Sequence, residues 1–191
     1  MKSAVVRRLV RGAVSSGAVV AMVWLSGCAS MSKEECRSAD WREVGYHDGV
    51  KGLARSRVED HAKACAEAGV GVDRKTYFEA RERGIRQYCY PPNGMNVGRA
   101  GQGYGDVCPP DLEPAFLYQY QLGLAVYDAE QRISSLDSQQ RSLEDRLRKA
   151  DKDDERAKLR NQLRDLDRDL RHARDELGWR QAEALRAGGQ P

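Results

Sequence analysis

The chain is poor in the side chains on which most enzymes depend. It has only three histidines, no Cys-x-x-Cys pair, and no Lys-Ser/Thr after its glycine-rich stretch. Nucleophilic catalysis needs a serine or cysteine beside a base that a third group orients, and a phosphate-binding loop needs the missing lysine. We therefore expect a protein that is not an enzyme and that takes no cofactor and no metal.

An excess of charge of one sign is also absent. The formal net charge of +3 comes from 32 basic and 29 acidic residues, but four of the basic residues fall within the first 27 positions, where there is no acidic residue. Residues 28–191 therefore carry 28 basic and 29 acidic residues, a net charge of −1. No bulk positive charge is left to favour nucleic acid or a polybasic membrane patch.

Long hydrophobic runs are missing too, because the only candidate, residues 13–27, is shorter than the roughly 20 residues that cross a bilayer. It suits the apolar part of a secretory signal. It ends at Leu25-Ser26-Gly27-Cys28, which resembles the lipobox of bacterial lipoproteins. The resemblance implies a signal peptide at 1–27 and a lipid on Cys28. Alanine at position 29 is similar to the signal for the outer membrane, facing the periplasm.

The distribution of aromatic residues and cysteines predicts a mainly α-helical protein in two parts. All eight tyrosines lie between residues 41 and 127, whereas residues 128–187 are rich in both charges and contain no proline. We predict a tether at 28–35, a disulfide-linked helical domain at 36–127, a coiled-coil region at 128–187 and a disordered tail at 188–191. Capping residues Asp40, Ser56, Asp73 and Asp111 predict helices at about 40–53, 57–68, 74–88 and from 112 onward.

Residues 90–108 contain five glycines and two prolines, which predicts a loop with at most a short extended piece at 95–97. Four cysteines in an exported chain predict two disulfides with three possible pairings. If the first two helices form an antiparallel hairpin, Cys36 lies near Cys65, and a Cys89–Cys108 bond closes the loop. The alternative is a zinc site at Cys65, His61 and His47. We favour the disulfides and expect His61 to lie on the surface.

Glycines recur at helical spacing and are followed by aromatic residues, which indicates either close helix crossings capped by tyrosine rings or a groove that binds a glycan or peptide. We favour the crossings. One further pattern combines Cys65, Cys89 and Cys108 with Trp41, Gly45, Asp48, Gly49, Gly52, Tyr88, Asn93, Gly94, Gly98 and Tyr104. This pattern resembles a family of bacterial lipoproteins known as a domain of unknown function, over about residues 36–127. The resemblance implies an envelope location and no established activity.

The C-terminal region has two leucine series, 133–150 and 159–177, that are out of heptad phase. A helical hairpin that turns near residues 151–154 fits this pattern. A single long helix that self-associates with partner chains also fits, and we favour the hairpin. The expected function is a lipid-anchored envelope scaffold or interaction module with a protein or peptidoglycan partner. The alternative is an envelope ligand-binding domain that uses the 90–108 loop.

Overall fold

A computed structural model describes residues 30–188, and this part of the chain is helical without strands, which confirms the mainly α fold. The predicted signal peptide, Cys28, Ala29 and residues 189–191 lie outside the described range. No helix within that range has both the length and the apolar character that crossing a membrane requires. The helices are α1 (Lys33–Arg37), α2 (Trp41–Val50), α3 (Arg57–Ala66), α4 (Arg74–Tyr88), α5 (Pro91–Arg99), α6 (Glu113–Lys149) and α7 (Asp153–Gly188).

Two of the four predicted caps form. The carboxylates of Asp40 and Asp73 accept hydrogen bonds from backbone N–H groups in the first turns of α2 and α4. The cap predicted at Ser56 is wrong, because its backbone is already helical and its side chain makes no capping bond. The cap predicted at Asp111 is also wrong, because that carboxylate instead accepts two hydrogen bonds from Arg86, and α6 begins after Leu112.

The cysteines pair as the order of the helices predicts, Cys36 with Cys65 and Cys89 with Cys108. Both bonds are buried in the domain. The first ties α1 to α3, and the second ties the end of α4 to the segment before α6. The zinc alternative at Cys65 is therefore wrong, because its sulfur is in a disulfide.

The predicted loop at 90–108 is wrong over its first half, because residues 91–99 form helix α5. Proline is tolerated in a first helical turn, where its missing N–H would have no partner. Glycine disfavours a helix in isolation, but Gly94 and Gly98 are buried against the backbone of α6. Tertiary packing thus outweighs the low helix propensity, and only residues 100–112 connect α5 to α6.

The domain consists of two units built on the same plan, which we call the first unit (residues 36–88) and the second unit (residues 89–127). In the first unit α2 packs on α4, and in the second α5 packs on α6. A Cβ added at Gly45 would overlap the carbonyl oxygen of Tyr77, and one at Gly94 would overlap that of Phe116. One turn later, Gly49 of α2 meets the backbone of α4 in the same way as Gly98 of α5 meets the backbone of α6. Each unit therefore contains the same kind of helix crossing, at which the backbones of two helices touch.

The same correspondence holds where α2 and α5 end. Gly52 and Gly101 have φ of +66° and +64°, a left-handed conformation that suits glycine at a helix end. The next N–H bonds back five residues in each case, from Leu53 to Asp48 and from Gln102 to Val97, at 3.0 and 3.1 Å. The rings of Tyr88 and Tyr127 fill the space that side chains at these two glycines would need.

The C-terminal region is the helical hairpin, not a single long helix. Helix α6 runs for 37 residues, α7 returns along it, and the turn lies at residues 150–152. The guanidinium of Arg156 donates to the carbonyl oxygens of Leu147 and Ala150 across this turn. Leucines from the second predicted series, among them Leu159, Leu166 and Leu170, are buried between the arms. At 1.5 Å per residue the hairpin is about 55 Å long.

Candidate functional site

The core of the first unit contains a cluster of buried polar side chains from three helices. Asp48 on α2, His61 on α3 and Tyr77 on α4 are 7%, 3% and 0% exposed. Asp48 lies one residue before Gly49 in the helix crossing, which places its carboxylate beside α4. His61 is one turn before Cys65, so the disulfide fixes the helix that carries it. The crossing and the disulfide together hold the three side chains against one another.

One carboxylate oxygen of Asp48 joins the cluster. It accepts hydrogen bonds from His61 Nε2 at 2.8 Å and from the Tyr77 hydroxyl at 2.7 Å. An ionised carboxylate only accepts, so Nε2 carries the proton, and in the neutral ring Nδ1 is then an acceptor. Ser30 Oγ lies 3.0 Å from this Nδ1. A chain of hydrogen bonds therefore runs from Tyr77 through Asp48 and His61 to Ser30, at the start of the described chain.

The electrostatics favour an ionised Asp48. Its burial is the largest single effect on its pKa and acts to raise it. The hydrogen bonds from His61 and Tyr77, with the positive charge of Arg57, outweigh burial and hold the pKa below its ordinary value near 3.8. Burial and the bond to Asp48 raise the pKa of Tyr77, so its hydroxyl remains a donor. The cluster is thus a stable buried anion with two donors directed at it.

The second unit shows that the fold does not require these polar groups. The positions equivalent to Asp48, His61 and Tyr77 hold Val97, Tyr104 and Phe116. Tyr104 lies four residues before Cys108, as His61 lies four residues before Cys65, and its ring packs on Phe116 as His61 packs on Tyr77. The same helix crossing is therefore filled by apolar and aromatic side chains in one unit and by an ionised network in the other.

The two units also differ at a position next to the cluster, where the first unit has a charged residue and the second does not. Arg81 of the first unit is 4% exposed and donates to the carbonyl oxygen of Leu53. The equivalent Tyr120 of the second unit donates its hydroxyl to the carbonyl oxygen of Gln102. Burial lowers the pKa of Arg81, and its Nε has no hydrogen-bond partner. The first unit thus concentrates charge in a core where its counterpart has none.

The sequence-predicted site residues fall into three groups. The glycines lie at the helix crossings or at the end of α2, and Tyr88 covers Gly52. Asn93 donates to the carbonyl oxygen of Tyr88 at 2.7 Å, and the Tyr104 hydroxyl accepts from the N–H of Cys108 and donates to Glu113. Only Asp48 belongs to the polar cluster, and Trp41 lies beside it, with its ring centroid 6.5 Å from that of His61.

One sequence prediction about the cluster is wrong. His61 is buried, not on the surface, because α1 and the segment at Ser30 cover α3. Asp48 bonds His61 and Tyr77 with its side chain. These residues are 13 and 29 positions away from it, so local sequence did not connect them. The signal available in the sequence is the repeat. Asp48 and His61 occupy the positions in the first unit that Val97 and Tyr104 occupy in the second.

Acidification is expected to remove the stabilisation that Asp48 provides. Its folded pKa lies below its unfolded value near 3.8, so the contribution is complete above that value and is lost as the pH falls through the folded pKa. We define the core-exchange variant as Asp48→Val, His61→Tyr and Tyr77→Phe, which gives the first unit the side chains of the second. Between pH 5 and pH 2 the free energy of unfolding of the wild type should fall more steeply than that of this variant. Guanidinium denaturation at several pH values measures both, and parallel curves would contradict the assignment.

Comparisons with known proteins identify a match but no activity. A protein-family model described as "Protein of unknown function (DUF2799)" matches residues 40–125, which span α2 to α5 and the first third of α6. No curated protein and no solved structure matches the chain. The match thus covers most of both units and ends before the distal part of the hairpin. Within residues 30–188 no three His, Cys, Asp or Glu side chains are grouped to hold a metal ion.

Proposed function

We propose that this protein is a lipid-anchored, non-catalytic module of a bacterial envelope, attached to the outer membrane through Cys28 and facing the periplasm. It would act as a scaffold for a protein or peptidoglycan partner. The observation that carries the proposal is that the chain from Ser30, two residues after Cys28, is held on the domain. Ser30 bonds His61, and Cys36 bonds Cys65.

The distance from the anchor to the domain would then be short. Only Ala29 separates Cys28 from Ser30, and two residues span at most about 7 Å. A module fixed in this way stays at the bilayer surface and does not swing on a flexible linker. The segment 28–35 predicted as a tether includes Ser30 and the start of α1, both of which make contacts with the domain or within the helix.

Two other features support the same function. Two disulfides in one small domain are typical of proteins in oxidising compartments such as the periplasm. The hairpin extends about 55 Å and exposes side chains of both charges along its arms. A fixed base and a long rigid arm suit a scaffold that presents a binding surface at a set distance from its membrane.

The experiment tests whether a lipid is attached to Cys28. In cells producing the full chain with radiolabelled palmitate, the wild type should be labelled and should fractionate with the outer membrane. Cys28→Ser should lose both properties. Ser30→Ala is the matched control, because it removes the contact with His61 and leaves Cys28 intact, so it should stay labelled. A Cys28→Ser protein that remains in the membrane with its other cysteines reduced would overturn the proposal.

One observation favours a second candidate, an enzyme that transfers acyl groups. Ser30, His61 and Asp48 stand in the order of nucleophile, base and orienting carboxylate. An activated Ser30 would react with a fluorophosphonate probe, and Ser30→Ala would abolish that labelling. Under the scaffold proposal neither protein is labelled, because the network serves to hold Ser30 in place.

A further inference from the structure

A groove opens where the end of the hairpin meets the second unit. It lies between α5, the start of α6 and the last turns of α7, and it has a volume of about 1360 Å³. Its apolar lining includes Tyr90, Met95, Tyr118 and Leu185. Tyr90, Tyr118 and Leu185 are 61%, 56% and 76% exposed, which places the three most exposed large apolar side chains of residues 30–188 in one groove.

The fold does not require this exposure, since the first unit lacks it. The position equivalent to Tyr118 in the first unit is Glu79, which is exposed on α4. Pro92 and Val126, which also line the groove, correspond to Glu43 and Gln87. One unit thus presents a polar face at the place where the other presents an apolar one. Clustered exposed apolar surface of this kind marks interaction sites.

Few of the described groove residues are charged. Arg99 is the only charged residue among them, in a chain that is 32% charged. Gln119 donates its amide N–H to the carbonyl oxygen of Ala187 at 3.2 Å, and its amide oxygen is buried away from the groove surface. Asn96 and Gln181 add two amide side chains to the lining. The groove therefore presents one cation and two amides amid apolar side chains.

We infer that the groove binds a peptide segment of a partner protein, with apolar side chains against its walls and a carboxylate at Arg99. The volume exceeds the roughly 300–1,000 Å³ of pockets for small molecules, so an elongated ligand fits it. Methionine and aliphatic side chains suit the varied side chains of a peptide. This inference rests on the proposed function, because it names the partner of the scaffold.

The experiment starts in living cells and ends with purified components. A photoreactive phenylalanine at position 118 of the full chain is cross-linked in cells, and the captured segment is sequenced. A synthetic peptide of that sequence is then titrated by fluorescence anisotropy into the detergent-solubilised full chain. Leu185→Asp and Tyr118→Glu, which place charge at the centre of the groove, should each weaken binding by about 30-fold. Both side chains are more than half exposed, so the variants should fold.

The matched control is Tyr46→Glu, which changes an exposed tyrosine of the first unit (37% exposed) and should alter binding less than twofold. A cross-link to glycan strands, to a second copy of this chain or to nothing would overturn the peptide assignment. Equal weakening by Tyr46→Glu would overturn it as well. Palmitate labelling is independent of these results, so failure of the groove and failure of the lipid anchor are distinguishable.

Discussion

Replacing Asp48 with alanine is expected to lower the free energy of unfolding by about 3–5 kcal/mol. The change leaves His61 Nε2 and the Tyr77 hydroxyl buried without their acceptor, and each such loss costs about 1–3 kcal/mol. Removal of the side chain also leaves a cavity beside α4. Guanidinium denaturation of the full chain at pH 7 measures the difference, and a loss below about 1 kcal/mol would mean that the network contributes little.

The core-exchange variant separates the stability of the first unit from the hydrogen bond that holds Ser30. It removes the same carboxylate, yet we expect it to stay within about 2 kcal/mol of the wild type, because a buried charged network can be replaced by well-packed apolar groups. Val97, Tyr104 and Phe116 already fill the equivalent space in the second unit. Ser30 would lose its partner, so hydrogen exchange of residues 30–32 should rise. If this variant were as unstable as Asp48→Ala, the two units would not be equivalent.

Replacing Gly98 with alanine is expected to destabilise the protein by about 3 kcal/mol, the upper part of the range for overpacking a core. A Cβ at this position would lie 2.7 Å from the backbone nitrogen of Leu124 and would overlap the carbonyl oxygen of Tyr120. Backbone atoms cannot move aside as the end of a flexible side chain can. The strain exceeds the helix propensity gained on replacing glycine, about 1 kcal/mol.

Gly103→Ala is the matched control, because nothing lies within 4 Å of a Cβ there and its φ is not in the left-handed region. It should change stability by no more than about 0.5 kcal/mol. Gly49→Ala should resemble Gly98→Ala, since Gly49 has the equivalent place in the first unit. Thermal or chemical unfolding of the three variants measures this, and similar values for Gly98→Ala and Gly103→Ala would refute the close crossing.

The sequence predicted those parts of the fold that depend on local signals. Asp40 and Asp73 mark helix starts through bonds to the next turn, and the order of helices was enough to pair the cysteines. Helix α5 was missed because its prolines and glycines disfavour a helix in isolation. Helix α5 is stabilised by contact with α6, whose backbone Gly94 and Gly98 approach closely. Local composition does not predict a contact between two separate segments of the chain.

The polar cluster and the repeat were missed for a related reason. Glycines recur at intervals of four and three along α2 and the turn that follows it, and again along α5 and its turn. Gly84 and Gly123 each precede a tyrosine by four residues. The two units have connections of different length between these elements, so the repeat has no single period. Once the units are aligned in space, Asp48 and His61 are recognisable as polar replacements of Val97 and Tyr104. The role of Asp48 and His61 is therefore recognised from the difference between the two units and not from a sequence motif.

The hairpin differs from the two units in how freely its size can change. Its arms pack on each other, and its turn is closed by Arg156 through contacts confined to the tip. Seven residues added to each arm would move that tip about 10 Å farther out and leave every glycine crossing unchanged. The reach of the hairpin can therefore change with arm length alone, without any change in the packing of the two units.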